Sequence, residues 1–132
     1  MTTEHQDVSV LSPHGEPRGL QMTEETFEPA GLVVTVSGEL DIATSPVLRD
    51  RLTAAIEAGR HRLVIDLSDL EFVDSIALAT IVHAKKELPE HGKLALTVDP
   101  TSYVMLVFQS GGLTRVLDLV ETRAEAIEHV AS

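Results

Sequence analysis

There is no cysteine in the chain, which removes disulfides and thiolate chemistry and leaves the redox compartment unread from cysteine pairing. Tryptophan is missing too, and three Phe with one Tyr are all the aromatic residues it has. So sparse a set argues against a platform on which bases or sugars stack. Positive charge is scarce: ten Lys and Arg stand against 21 Asp and Glu, a formal charge of −11. An acidic surface of that size repels nucleic-acid phosphates and anionic lipid, so neither direct nucleic-acid binding nor membrane binding is expected. It suits a basic protein partner, whose encounter it speeds. No apolar run approaches the ~20 residues of a membrane span, and the opening MTTEHQDVSV lacks the basic-then-apolar layout of a signal peptide. A cytoplasmic protein is the expectation.

What is present fits one domain. The 132 residues are 43% hydrophobic and 23% charged, ordinary values for a chain that can bury a core without staples. Residues 1–21 carry Pro13, Gly15, Pro17 and Gly19 among polar residues, with no sustained periodicity, and read as a flexible tail whose Val8, Val10 and Leu11 can still dock on a surface. The domain is expected over 22–132. It opens with a short edge strand at Thr23–Phe27 and a strand at Leu32–Ser37. A helix then enters through Thr44-Ser45-Pro46 and closes at Gly59. A strand at Leu94–Val98, a helix after Asp99-Pro100-Thr101, a strand region at Leu113–Leu119 and a final helix capped by Thr122 complete the chain. Strands alternating with amphipathic helices after an opening hairpin predict an α/β sandwich with a mixed sheet.

The centre of the chain is residues 63–88. Leu63-Val64-Ile65-Asp66-Leu67 is a buried-strand run, Ser68-Asp69 supplies turn chemistry, and Leu70, Phe72 and Val73 bring the chain back towards a core. Asp74-Ser75 then caps a mostly buried helix that ends with Lys85 and Lys86 in its last turn and Pro89 beyond. A helix N-terminus concentrates unpaired N–H groups and favours an anion. A serine there serves as a cap, a phosphate acceptor or part of a partner's footprint.

Catalysis finds little support. The six histidines fall at positions 5, 14, 61, 83, 91 and 129 without metal-ligand spacing. Gly111-Gly112 follows a helix instead of preceding one, so it cradles no phosphate. His83 lies two turns beyond Ser75 on the same helix, about 12 Å away at the rise of an α-helix, too far to act as its base. Asp41 and Asp74 both follow core strands and share a rim, but without a convergent base, metal or oxyanion group. No catalytic residue, metal site or cofactor is expected, and the protein is read as a non-enzyme.

Gly38-Glu39-Leu40-Asp41, the helix from Thr44-Ser45-Pro46, Leu63 to Ser68, Phe72-Val73-Asp74-Ser75 and Gly111-Gly112-Leu113, in that order, resemble the STAS domain, in particular the small bacterial anti-sigma factor antagonists. The resemblance covers about residues 22 to 130. It implies a STAS-like sandwich: a mixed central sheet of about five strands with about four helices packed mainly on one face. It also implies a binding protein that engages an anti-sigma factor, a GHKL-type kinase, and so releases a sigma factor for transcription. In the family the kinase, with its own ATP and Mg²⁺, phosphorylates the antagonist at the start of the second helix, and a phosphatase restores it. Asp41 matches the aspartate of the family's G-E-[LIV]-D motif, which lies near that site and takes part in partner binding.

One departure alters the implication. The family's loop reads D-S-[ST]-G-L, with the second hydroxyl residue as acceptor, whereas this chain has Asp74-Ser75-Ile76-Ala77-Leu78. Ile76 has no hydroxyl, and Ser75 matches the neighbour that is generally not the acceptor. Three readings follow: an antagonist that binds but lacks the usual phospho-switch, an antagonist phosphorylated instead at Ser75, or a STAS-like scaffold or small-ligand module of a transporter or signalling assembly. Asp41, Asp74, Ser75 and Ile76 are the expected centre of the partner surface. An exposed Ile76 favours a protein contact; a buried one makes the loop structural.

Overall fold

The central strands are buried on both faces, which is why they read as unbroken apolar runs instead of alternating ones. The computed structural model describes residues 5–11 and 17–131, with side chains from residue 19 onward. The chain begins with His5–Leu11 (β1), Pro17–Phe27 (β2), Gly31–Leu40 (β3) and the helix Ser45–Glu57 (α1). Arg62–Asp66 (β4), Leu70–Val73 (β5), Ser75–Glu87 (α2) and Lys93–Thr97 (β6) follow. Tyr103–Ser110 (α3), a 3₁₀ turn at Leu113–Arg115, Asp118–Val120 (β7) and Arg123–Ala131 (α4) complete it. The sheet has seven strands in the order β1-β2-β3-β4-β6-β7, with β5 paired to the end of β3. β1, β2 and β3 are antiparallel, and the remaining pairs are parallel.

Alternation along the strands sorts the core into two layers. Leu32, Val34, Val36, Leu63, Ile65, Leu94 and Leu96 point to one face, where they meet Leu48 and Leu52 of α1, Leu78 and Ile81 of α2, and Phe108 of α3. Val33, Val64 and Ala95, the intervening residues, meet Ala126 and Val130 of α4 on the other. The four helices therefore divide three to one across a mixed sheet. Truncating a fully buried member such as Ile81 to Ala costs about 2–5 kcal/mol, the loss of transfer free energy plus the cavity left behind.

Two strands exceed the sequence expectation of about five. Within the stretch expected to be a tail, β1 and the first part of β2 are strand, while residues 1–4 and 12–16 of it lie outside the described residues. β2 is consequently not an edge, because β1 lies along its outer side from His5↔Glu25 to Leu11↔Pro17. The extra strand β5 comes from the segment read as a turn and return. It pairs with β3 from Gly38, which has φ +90 and packs so close to Gly19 of β2 that a Cβ there would overlap the Gly19 carbonyl oxygen. β3 pairs with β4 as far as Thr35↔Asp66 and with β5 from Gly38↔Leu70 onward, and an irregularity directly after Gly38 leaves Glu71 out of the register, so that Glu39 and Leu40 meet Phe72 and Val73. Further on, Leu113–Leu119, expected as one strand region, splits into the 3₁₀ turn and β7.

Candidate functional site

The parallel register Leu40↔Val73 decides where the site forms. The next residue on each strand is an aspartate, so Asp41 and Asp74 leave the sheet side by side. Each carboxylate is then occupied by backbone donors. Asp41 Oδ1 accepts from Ala43 N (2.9 Å), Thr44 N (3.0 Å) and the Thr44 hydroxyl (3.1 Å), which holds the turn into α1. Thr44 is buried and also accepts from Asp41 N at 2.9 Å. Asp74 caps α2, its Oδ1 accepting from Ala77 N at 3.0 Å. Its Oδ2 accepts from Ile42 N at 3.0 Å, and so ties the β3–α1 loop to the start of α2. Asp41 and Asp74 thus share a rim as the sequence suggested, and Asp74 is the tie between its two loops.

Because Asp74 supplies the cap, Ser75 is released from that role, and its side chain is exposed on the first residue of α2. It borders a shallow cleft of about 480 Å³ whose wall includes Leu78, Val82 and Leu113, with His83 and Lys86 at the far end. Ile76 is 46% exposed. Its side chain is not part of the core, so the loop has not become structural at this position. Only Ala77, Leu78, Ile81 and Ala84 of α2 are buried, so the helix is less covered than its composition suggested.

Four neighbours escaped the sequence reading. Ile42, immediately after Asp41, is 69% exposed. Phe72, expected in the core, instead faces solvent on β5 and stacks on Tyr103 of α3, ring centroids 6.1 Å apart and planes 15° from parallel. Leu106, one turn along α3, is exposed beside it. Composition carried the one usable signal: with so few aromatic residues in the chain, each placement is informative. Among the described residues no group of three or more His, Asp or Glu is arranged to hold a metal ion. No described helix is long and apolar enough to cross a membrane.

Comparison with known proteins agrees with this geometry. The STAS domain family profile matches residues 21–126. The anti-sigma F factor antagonist of Paenibacillus polymyxa is 28% identical over 97 residues, 73% of this chain and 83% of that protein. The crystal structure of an anti-sigma factor antagonist from Mycobacterium paratuberculosis superposes with a TM-score of 0.78 at 24% identity, covering 93% of this chain and 100% of the other. The structure of the Bacillus cell fate determinant SpoIIAA in the phosphorylated form gives a TM-score of 0.64 at 26% identity, covering 83% of this chain and 98% of the other.

Proposed function

The chain belongs to the STAS domain family, and from that premise we propose that it is an anti-sigma factor antagonist: it binds an anti-sigma factor of the GHKL kinase type and thereby frees a sigma factor. Its relatives' names support the first half of this reading. The observation that carries it to residues is the exposed Ile76 beside Asp74, on a loop pair that Asp74 itself holds together. An apolar side chain presented on a braced rim, flanked by Asp41, is a surface built for a partner's contact.

The same residue removes the usual switch. A phosphate on the second loop hydroxyl would set nearly two negative charges against Asp41 and Asp74 and would break the complex by repulsion and desolvation. Ile76 accepts no phosphate, so the complex persists in Mg-ATP. Release then depends on competition or on another protein, and a phosphatase has no phosphate to remove at this position. Asp41, Asp74, Ser75 and Ile76 form the centre of the footprint. Ser75 contributes as a contact residue.

The test pairs the chain with the GHKL-type anti-sigma kinases of its own source, with and without Mg-ATP. Binding is followed by calorimetry, and intact mass is read afterwards. Binding with no mass increase is the expected result. An adduct that disappears in Ser75→Ala would move the switch to Ser75. Absence of binding to every such kinase would overturn the antagonist reading and leave a STAS scaffold or small-ligand module, for which the cleft beside Ser75 is the place to look.

A further inference from the structure

Two of the chain's four aromatic residues are spent on the surface: Phe108 is fully buried and Phe27 packs into the α4 layer, but Phe72 and Tyr103 stack on each other in the open. Leaving an aromatic pair exposed gives up burial that the core could have used. Tyr103 is 54% and Leu106 59% exposed, and they lie one turn apart on α3. Phe72 sits two residues before Asp74 and in register with Glu39. The patch is therefore continuous with the rim that carries Ile42 and Ile76.

Charge around it is of one sign. Residues 38–48, 66–84 and 94–114, which supply this end of the sheet and the whole of α3, contain no Lys or Arg. Glu39, Asp69, Glu71 and Asp99 are exposed there. A second copy of the chain would bring the same acids against these, so self-association through this face is opposed.

We propose that the Phe72–Tyr103 stack, with Leu106 beside it, is a second contact area for the protein partner, and that it receives a basic segment whose arginine lies on the aromatic face. A guanidinium over an aromatic ring gains from the ring quadrupole, and its charge is met by Glu39, which is exposed and in register with Phe72. This deepens the antagonist reading and rests on it for the partner's identity. The partner surface then spans the β3–α1 loop, the start of α2, β5 and α3, and its chemistry is basic and apolar together.

Calorimetry against the cognate anti-sigma kinase separates the two layers. Tyr103→Ala is expected to weaken binding about tenfold, with Tyr103→Phe close to the parent, since the ring face is retained. Leu106→Ala serves as a second variant whose exposed position leaves the fold unaffected, checked by circular dichroism. If Ile76→Asp abolishes binding while the Tyr103 and Leu106 variants bind as the parent does, the aromatic contact area is overturned and the antagonist reading stands. If no kinase binds, that reading falls, and the surface is decided by NMR titration with the peptide Ac-Arg-Leu-Arg-NH₂. Shifts confined to Phe72, Tyr103 and Leu106, and lost in Tyr103→Ala, uphold it; equal shifts with Ac-Glu-Leu-Glu-NH₂, or none, overturn it. A dimer in sedimentation that Tyr103→Ala dissolves would also overturn it.

Discussion

Carboxylates leave the same sheet at two places and meet opposite fates. On the α4 face Thr35, Asp66 and Thr97 lie in register across β3, β4 and β6. Arg123 reaches down from α4 to Asp66 Oδ2 at 3.2 Å and to the Thr35 hydroxyl at 2.5 Å. Asp66 also accepts from Ser68 N and the Ser68 hydroxyl, and only 7% of it is exposed. There the Asp66 charge is matched within the chain, and the ion pair anchors a helix. At the β3 and β5 ends Asp41 and Asp74 accept backbone N–H groups and the Thr44 hydroxyl, with no ion pair to either carboxylate among the described residues. Charge matched inside a chain holds structure; charge held in place but unmatched is available to another molecule.

That contrast can be broken from either side. Ile76→Asp adds a charge to the open rim and is expected to weaken partner binding at least a hundredfold, about 3 kcal/mol, while the urea midpoint stays unchanged. Asp74→Ala removes both the α2 cap and the tie to Ile42 and should cost about 1–2 kcal/mol of stability by urea unfolding, with binding lowered as the two loops separate. Arg123→Met leaves Asp66 without its cation. Because the Arg123 side chain is 40% exposed, water reaches the pair, and the expected loss is about 1–2 kcal/mol, below that of a fully buried pair, with partner binding unaffected. If Arg123→Met weakens binding as much as Asp74→Ala does, the two clusters are not distinct in role.

The smallest effect is at Asp99, before α3. Its carboxylate is held below the ordinary aspartate range by the Thr101 backbone N–H (2.9 Å) and then by the Thr101 hydroxyl (2.8 Å). A lowered folded-state pKa means that the contribution is present above the ordinary value and is lost as pH falls through the folded one. Thr101→Ala removes the hydroxyl bond and should raise the Asp99 titration midpoint, read by NMR of its side-chain carbonyl.

Much of the fold was legible because its signals are local. The cap at Asp74, the Thr122 cap with its N–H acceptance from Glu125 (3.1 Å), and the stop at Gly111-Gly112 each involve residues within a few positions of one another. β1 and β5 were not legible. β5 is four residues long, and its middle pair faces solvent, so neither a run nor an alternation marks it. β1 owes its strand conformation to pairing with β2, which its own residues do not announce.

By itself the sequence determined the order of the four helices and of five of the seven strands, the acidic character, the family and the missing hydroxyl at residue 76, since these depend on residue types and short spacings. Only the tertiary structure decided that Asp74 would bind Ile42 across 32 residues, that Ile76 would stand out from its helix, and that Phe72 would leave the core for Tyr103. The parallel pairing of β5 with the end of β3, Leu40 against Val73, is what brings the two aspartates that follow them together. Register is a property of two strands together, and neither strand alone contains it.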